Sequence, residues 1–207
     1  MYLIRKLTAS ERPAVEALLQ ALPLEQRRLR FGFNIPAEGI TSYVSKLDFD
    51  KVIIFGAFSD TTVLAGICEL HGEGHAAEAA FAVLPAHQGH GLGHKLMERA
   101  VLEARLDGVD DMWIMCVPEN APMRALAASA GMVEDAPERA SDDVEAHVRL
   151  KPVHPAELAM NSVKEFRELG LYSEAVLLRY VLDQSGKVMN LPSQALLRAS
   201  EIFRVKA

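Results

Sequence analysis

A mixed α/β domain followed by an all-helical extension is the fold class this sequence predicts, and three observations predict it. Short apolar, partly β-branched runs alternate with helix-period segments through residues 1–152. A glycine-rich loop, Gln88-Gly-His-Gly-Leu-Gly-His94, joins one such run to one such segment. Past Pro152 the strand-like runs stop, and helical patterns fill residues 153–207.

Taken in order, residues 1–7 read as a strand. Ser10 reads as the cap of a helix ending near Leu22, with Val15, Leu18, Leu19 and Leu22 on one face. A second helical piece carries Leu24 and Leu29, and a third runs from Ala37 to Leu47. Between them, RFGFNIPAEG is too rich in Gly, Pro and Asn to be regular. KVIIFGAF (51–58) and TVLAGICEL (62–70) make a hairpin across Ser59, Asp60 and Thr61. HGEGH (71–75) reads as a flexible turn and AEAAFAV (77–83) as the next strand. Beyond the glycine loop a helix is expected from near His94, burying Leu96, Met97, Ala100, Val101 and Ala104 and ending at Gly108. MWIMCV (112–117) reads as a buried strand with Trp113 in the core. Asn120 reads as the cap of the following helix, with Pro122 in its first turn and Gly131 past its end. VEAHVRL (144–150) alternates like a strand with one exposed face. Three helices are expected at 155–169, 173–184 and 192–204. Of these, SEAVLLRYVL is apolar almost all round and must be buried, either within this chain or in a homodimer interface.

Half the residues are apolar and 24% charged, which suits an ordinary soluble globular protein. No apolar run approaches the roughly 18 residues that span a bilayer. The opening MYLIRKLTAS lacks the apolar core of a secretory signal, so a cytoplasmic protein without a membrane partner is expected. A net charge of −6 argues against nucleic acid as the main partner and is compatible with a cationic substrate. Cys68 and Cys116 both sit in apolar runs and are expected to be buried, reduced thiols.

The glycine loop is the chemical signal. A dinucleotide fingerprint, G-x-G-x-x-G, fails from Gly89, where the sixth position is His94, and from Gly91, where it is Leu96. The Walker A pattern is absent. Yet Gly89, Gly91 and Gly93 allow successive N–H groups to converge on an anion, and the helix that follows adds its own unpaired amides and positive dipole end. The alternative is a tight strand-to-helix turn without a ligand. His87, His90 and His94 crowd the loop, and His71 and His75 flank Glu73, but neither group has a recognised metal spacing, so no metal is expected.

Gln88-Gly-His-Gly91-Leu-Gly93 resembles the Q/R-x-x-G-x-G/A loop of the GNAT superfamily of N-acetyltransferases. ENAPMRALAASAGM (119–132) resembles that family's asparagine-led helix, with Met132 where the family has an aromatic. The likeness covers residues 1–150 in element order and 77–132 in motif detail, and is most similar to the bacterial protein-lysine acetyltransferases. It implies a GNAT fold, a mixed central sheet flanked by helices, over 1–152, with the helical extension at 153–207.

The resemblance also implies acetyl-CoA, or another acyl-CoA, as cofactor. Its diphosphate would lie on the amides of Gln88, Gly89, His90, Gly91, Leu92, Gly93 and His94. Its pantetheine arm would run along Phe81, Ala82 and Val83, where this strand splays from the next, and Asn120 would contact the arm or the amine. Glu78 matches the glutamate that the lysine acetyltransferases use as base. Glu69 is the runner-up; alternation sets it opposite Cys68, which predicts that it faces solvent. A backbone N–H of Phe81 or Val83 would meet the oxyanion. The tyrosine that many members use as general acid is replaced by Ala127. RRLRFGF (27–33) either opens toward the acceptor or is a basic helix end with Phe31 and Phe33 facing the core. The expected reaction is acyl transfer to a primary amine, a protein lysine first and a small amine second. The rival is a silent acyl-CoA-binding module, for which Ala127 speaks and against which Glu78 speaks.

Overall fold

In the computed structural model, which describes residues 2–59, 63–135 and 143–153, the apolar runs become strands of one sheet within the unit Met1–Pro152. They are β1 (Leu3–Lys6), β2 (Val52–Phe58), β3 (Leu64–Glu73), β4 (Ala76–Val83), β5 (Asp111–Cys116), β6 (Val133–Glu134) and β7 (Val144–Arg149). Their spatial order is β1-β2-β3-β4-β5-β7-β6. Only β4 and β5 run parallel. Parallel neighbours need a crossover, and α4 (Leu92–Leu106) supplies it. The other helices are α1 (Arg12–Ala21), α2 (Leu24–Phe31), α3 (Ala37–Ser45) and α5 (Ala121–Ser129). This is the mixed sheet with flanking helices that the sequence predicts. The helices expected after residue 154 lie outside the described residues.

Both sheet faces are covered. On one, Leu92, Leu96, Met97 and Ala100 of α4 and Leu126 of α5 pack on Phe55, Cys68, Leu70 and Met112. On the other, Val15, Leu18 and Leu19 of α1 and Ile40 and Val44 of α3 pack on Ile54, Ile67 and Ala82. Fully burying a side chain of this size contributes about 1.5–3 kcal/mol, so these two layers hold the central strands rigidly. Cys68 and Cys116 are free and buried.

Several expectations need correction. The first helix is not capped by Ser10. A 3₁₀ turn (Ala9–Glu11) precedes α1, and the Glu11 carboxylate accepts the Thr8 N–H at 3.0 Å, a reciprocal cap one turn earlier. HGEGH is not a flexible turn, because pairing runs on to Glu73↔Ala76. That leaves a two-residue turn, and Gly74 takes its positive φ of 61°. α4 starts at Leu92, two residues before His94, because Gly91 at φ 75° already turns the chain into the helix. Trp113 is half-buried, stacked on the His147 ring at 6.2 Å between centroids, because alternation sets it on the face opposite the buried Met112 and Ile114. Phe33 is 60% exposed, while Phe31 packs edge-on against Tyr43. β6, two residues long, has no sequence signal.

Candidate active site

The site begins where two strands part. β4 and β5 pair only at Ala76↔Asp111, Ala77↔Met112 and Glu78↔Trp113. Beyond Glu78, β4 stays with β3 and β5 stays with β7, so a gap opens between them. Leu84 N–H donates to Ala65 O at 2.9 Å, on the β3 side. Alternation then aims the amides of Ala79, Phe81 and Val83 away from β3, toward the gap. The Val83 carbonyl accepts from Gln88 Nε2 at 2.8 Å, which ties the strand end to the loop. A cavity of about 400 Å³ occupies this gap.

The expected residues line it from several directions. Glu78, Phe81, Ala82 and Val83 form the β4 wall. Gln88, Gly89, Gly91, Leu92, Gly93 and His94 form the loop end. Asn120 stands at the start of α5, and Met115 and Cys116 close the β5 side. His90 is exposed and not on the wall. Gly89 and Gly91 have φ of 74° and 75°. A Cβ at either would meet nothing within 4 Å, so the backbone conformation and not crowding calls for glycine there. The amides of Leu92, Gly93 and His94 have no intrahelical acceptor, being the first of α4, whereas Lys95 N–H already donates to Gly91 O at 3.2 Å. Leu92, buried to 1% exposure, pins the helix start. The result is an open-faced anion cradle at one end of a strand gap, and it fits the diphosphate and extended arm of an acyl-CoA.

The opposite wall is α2, through Gln26, Leu29 and Arg30, with Leu22 from the end of α1. No residue of α2 is fully buried; polar bonds strap it instead. Gln26 and Gln88 exchange amide hydrogen bonds at 3.1 and 3.4 Å. Asn120 Oδ1 accepts from Met123 N–H at 3.2 Å, as a cap should, and its Nδ2 donates to Leu29 O at 3.2 Å. Asn120 is thus occupied in joining α5 to α2.

Arg30 leads to the largest correction. Glu69 does not face solvent. It is fully buried. Alternation does set it opposite Cys68, but α1, α2 and α3 cover its face as α4 covers the other. Arg30 Nη2 lies 3.1 Å from Glu69 Oε1, and Tyr43 OH donates to Oε2. His71 Nε2 stands 3.1 Å from the same Oε2. Burial pushes the Glu69 carboxyl up, but the Arg30 charge and the bonds from His71 and Tyr43 outweigh it and hold it below its ordinary value. Burial and the Glu69 charge push the Tyr43 hydroxyl up. Sequence pattern gives Arg30 and Tyr43 no individual role and weighs His71 only as a metal ligand; RRLRFGF contains Arg30, but nothing in one-dimensional pattern pairs position 30 with position 69.

Other groups resolve simply. Arg124 makes a two-pronged bridge to Glu134 at 2.7 Å on the surface. Ala127 is buried at 1% exposure, and Ser129 Oγ donates to Leu126 O at 2.6 Å. Burial pushes the Cys116 thiol up to about 11. Asp135, Glu145 and His147 place ligand-type atoms within 4.8 Å of one another in the β6–β7 region, two strands from Glu78 in the row Glu78–Trp113–His147, and His147 also meets Asp111 at 3.4 Å.

Residues 19–132, more than half of the chain, match the family model of the Acetyltransferase (GNAT) family. The chain belongs to the GNAT family. It is an N-acetyltransferase. Solved GNAT structures share its fold. The GNAT domain of S. lividans PAT is 20% identical with a TM-score of 0.61, over 71% of this chain and 89% of that one. The spermidine N-acetyltransferase from Vibrio cholerae, in complex with CoA and spermine, is 17% identical with a TM-score of 0.58, over 72% and 95%. The ribosomal-protein-S18-alanine N-acetyltransferase from Escherichia coli is 20% identical with a TM-score of 0.56, over 75% and 97%. Among the described residues of this GNAT chain, no helix is long and apolar enough to cross a membrane.

Proposed function

We propose that this GNAT enzyme acetylates a primary amine, a protein lysine in the first instance, with Glu78 as general base. The observation that carries the reading is the position of Glu78, half-buried on the cavity wall at the last paired position before β4 and β5 part. Acetyl-CoA supplies, when bound, a thioester carbon for the neutral amine to attack, with the CoA thiol as leaving group. The amides of Gln88 to His94 hold the diphosphate, and the gap-facing amides of Ala79, Phe81 and Val83 hold the arm like an added strand. An ammonium with a pKa near 10.4 must lose a proton first, and the Glu78 carboxylate takes it. The Phe81 or Val83 N–H faces the negative charge that develops on the carbonyl oxygen. Ala127 has no proton to offer, so solvent serves the leaving group, whose free thiol pKa near 8.5 makes it a good one. The division into a transfer domain, 1–152, and an extension, 153–207, belongs to the same reading.

Acetylation of a small-molecule amine is the second reading, supported by a cavity that α2 narrows on the acceptor side. Thiol release from acetyl-CoA, measured against polylysine, free lysine, spermidine and an alanine-led peptide, decides between them. Polylysine is expected to be fastest. A preference for spermidine or free lysine moves the acceptor to the small-molecule class, and no release above the amine-free background leaves only a silent acyl-CoA binder.

A further inference from the structure

Glu69 and His71 are unused by the mechanism above, yet they stand next to its base. β3 and β4 are antiparallel with His71 directly opposite Glu78 and Glu69 opposite Ala80. Directly opposed residues point to the same face with Cβ atoms about 5 Å apart. An imidazole and a carboxylate so placed are within reach of one bridging water.

The tautomer of His71 follows from its other side. Glu69 is held ionised by Arg30 and Tyr43, so its Oε2 is an acceptor, and the His71 Nε2 at 3.1 Å carries the hydrogen. In a neutral ring Nδ1 is then a bare lone pair. Glu69 is 0% exposed while His71 is 35% exposed, so the ring spans from a buried anion to solvent. A buried acid oriented this way stabilises an imidazolium without itself becoming protonated. Glu69 also pairs with Arg30 of α2, so one carboxylate both anchors that helix and orients His71.

We infer that His71, oriented by Glu69, is the proton relay for Glu78. The inference rests on the reading of Glu78 as base. The acceptor ammonium gives one proton to the Glu78 carboxylate. The Glu78 acid passes it through one water to His71 Nδ1, and an imidazolium forms between two carboxylates. The same Nδ1 then gives the proton to solvent water, and the base is again ionised for the next turnover. His71 acts through Glu78 and is a positioning residue. Among the described side chains, the charged and titratable groups facing it are Glu69 on its own strand and Glu78 on β4. Arg30 of α2 and Tyr43 of α3 stand behind Glu69, and β2 presents only Val52.

Thiol release with the fastest amine of the panel tests this. His71→Gln keeps a donor for Glu69 but carries no proton, and kcat is expected to fall about 10- to 100-fold. The KM for acetyl-CoA should stay within about twofold, and added imidazole should restore part of the rate to His71→Ala. Wild-type kcat in both variants, or a loss that imidazole does not restore, overturns the relay. The base reading fails separately, if Glu78→Gln itself retains wild-type turnover.

Discussion

The two sides of the cavity are held by different forces. On the donor side, α4 and the loop before it are fixed by apolar burial, with Leu92, Leu96, Met97 and Ala100 nearly or wholly excluded from solvent. On the acceptor side, α2 buries no residue fully. It is held by the Arg30–Glu69 pair, the Gln26–Gln88 exchange and the Asn120–Leu29 bond. The lesson is a division of labour. Non-directional packing fixes the cradle proposed to hold the cofactor, while directional polar bonds hold the wall proposed to face the amine.

Breaking the acceptor side at its buried pair should have the largest effect on stability. Glu69→Ala leaves the Arg30 charge unpaired and is expected to cost about 3–5 kcal/mol in urea unfolding. The double replacement Arg30→Met with Glu69→Leu should recover most of that. A double variant as unstable as the single one would show that the pair is not the strap. pH sharpens the same point. The Glu69 carboxyl is held below its ordinary value of 4.5, so its stabilisation is complete above that value and fades as pH falls through the lower folded value. Wild type should therefore lose its advantage over Glu69→Gln on acidification, and an advantage that grows on acidification would contradict the assignment.

A smaller effect, on the donor side alone, is expected from Gly91→Ala. A left-handed φ costs a residue with a Cβ roughly 1–2 kcal/mol. Acetyl-CoA affinity should drop about tenfold in calorimetry, with the amine KM unchanged. The smallest is Asn120→Ala, where loss of the cap costs about 1 kcal/mol. Because Asn120 also holds Leu29, the amine KM should rise more than the KM for acetyl-CoA. Equal changes in both would erase the distinction between the two walls.

The donor side was legible in the sequence because its demands are local. Positive φ calls for glycine at 89 and 91, Asn120 caps the helix it precedes, and the face of Leu96, Met97 and Ala100 shows at helical period. The acceptor side was not. Alternation correctly set Glu69 opposite Cys68, but it says nothing of what covers either face, and here both are covered. Arg30 and Glu69 are 39 positions apart, and α2 lacks a buried stripe to announce its contact. The turn at 71–75 misled because its two glycines and two histidines look like a loop, while the ladder simply continued to Glu73↔Ala76.

The central claim is that the donor cradle and the base are separable parts of one site. Titrating acetyl-CoA into wild type and Glu78→Gln by calorimetry, then measuring thiol release from both, tests it most directly. Equal affinity with kcat lowered about 10²- to 10⁴-fold in the variant is the expected result. Failure of the wild type to bind acetyl-CoA, or full turnover by Glu78→Gln, would contradict it.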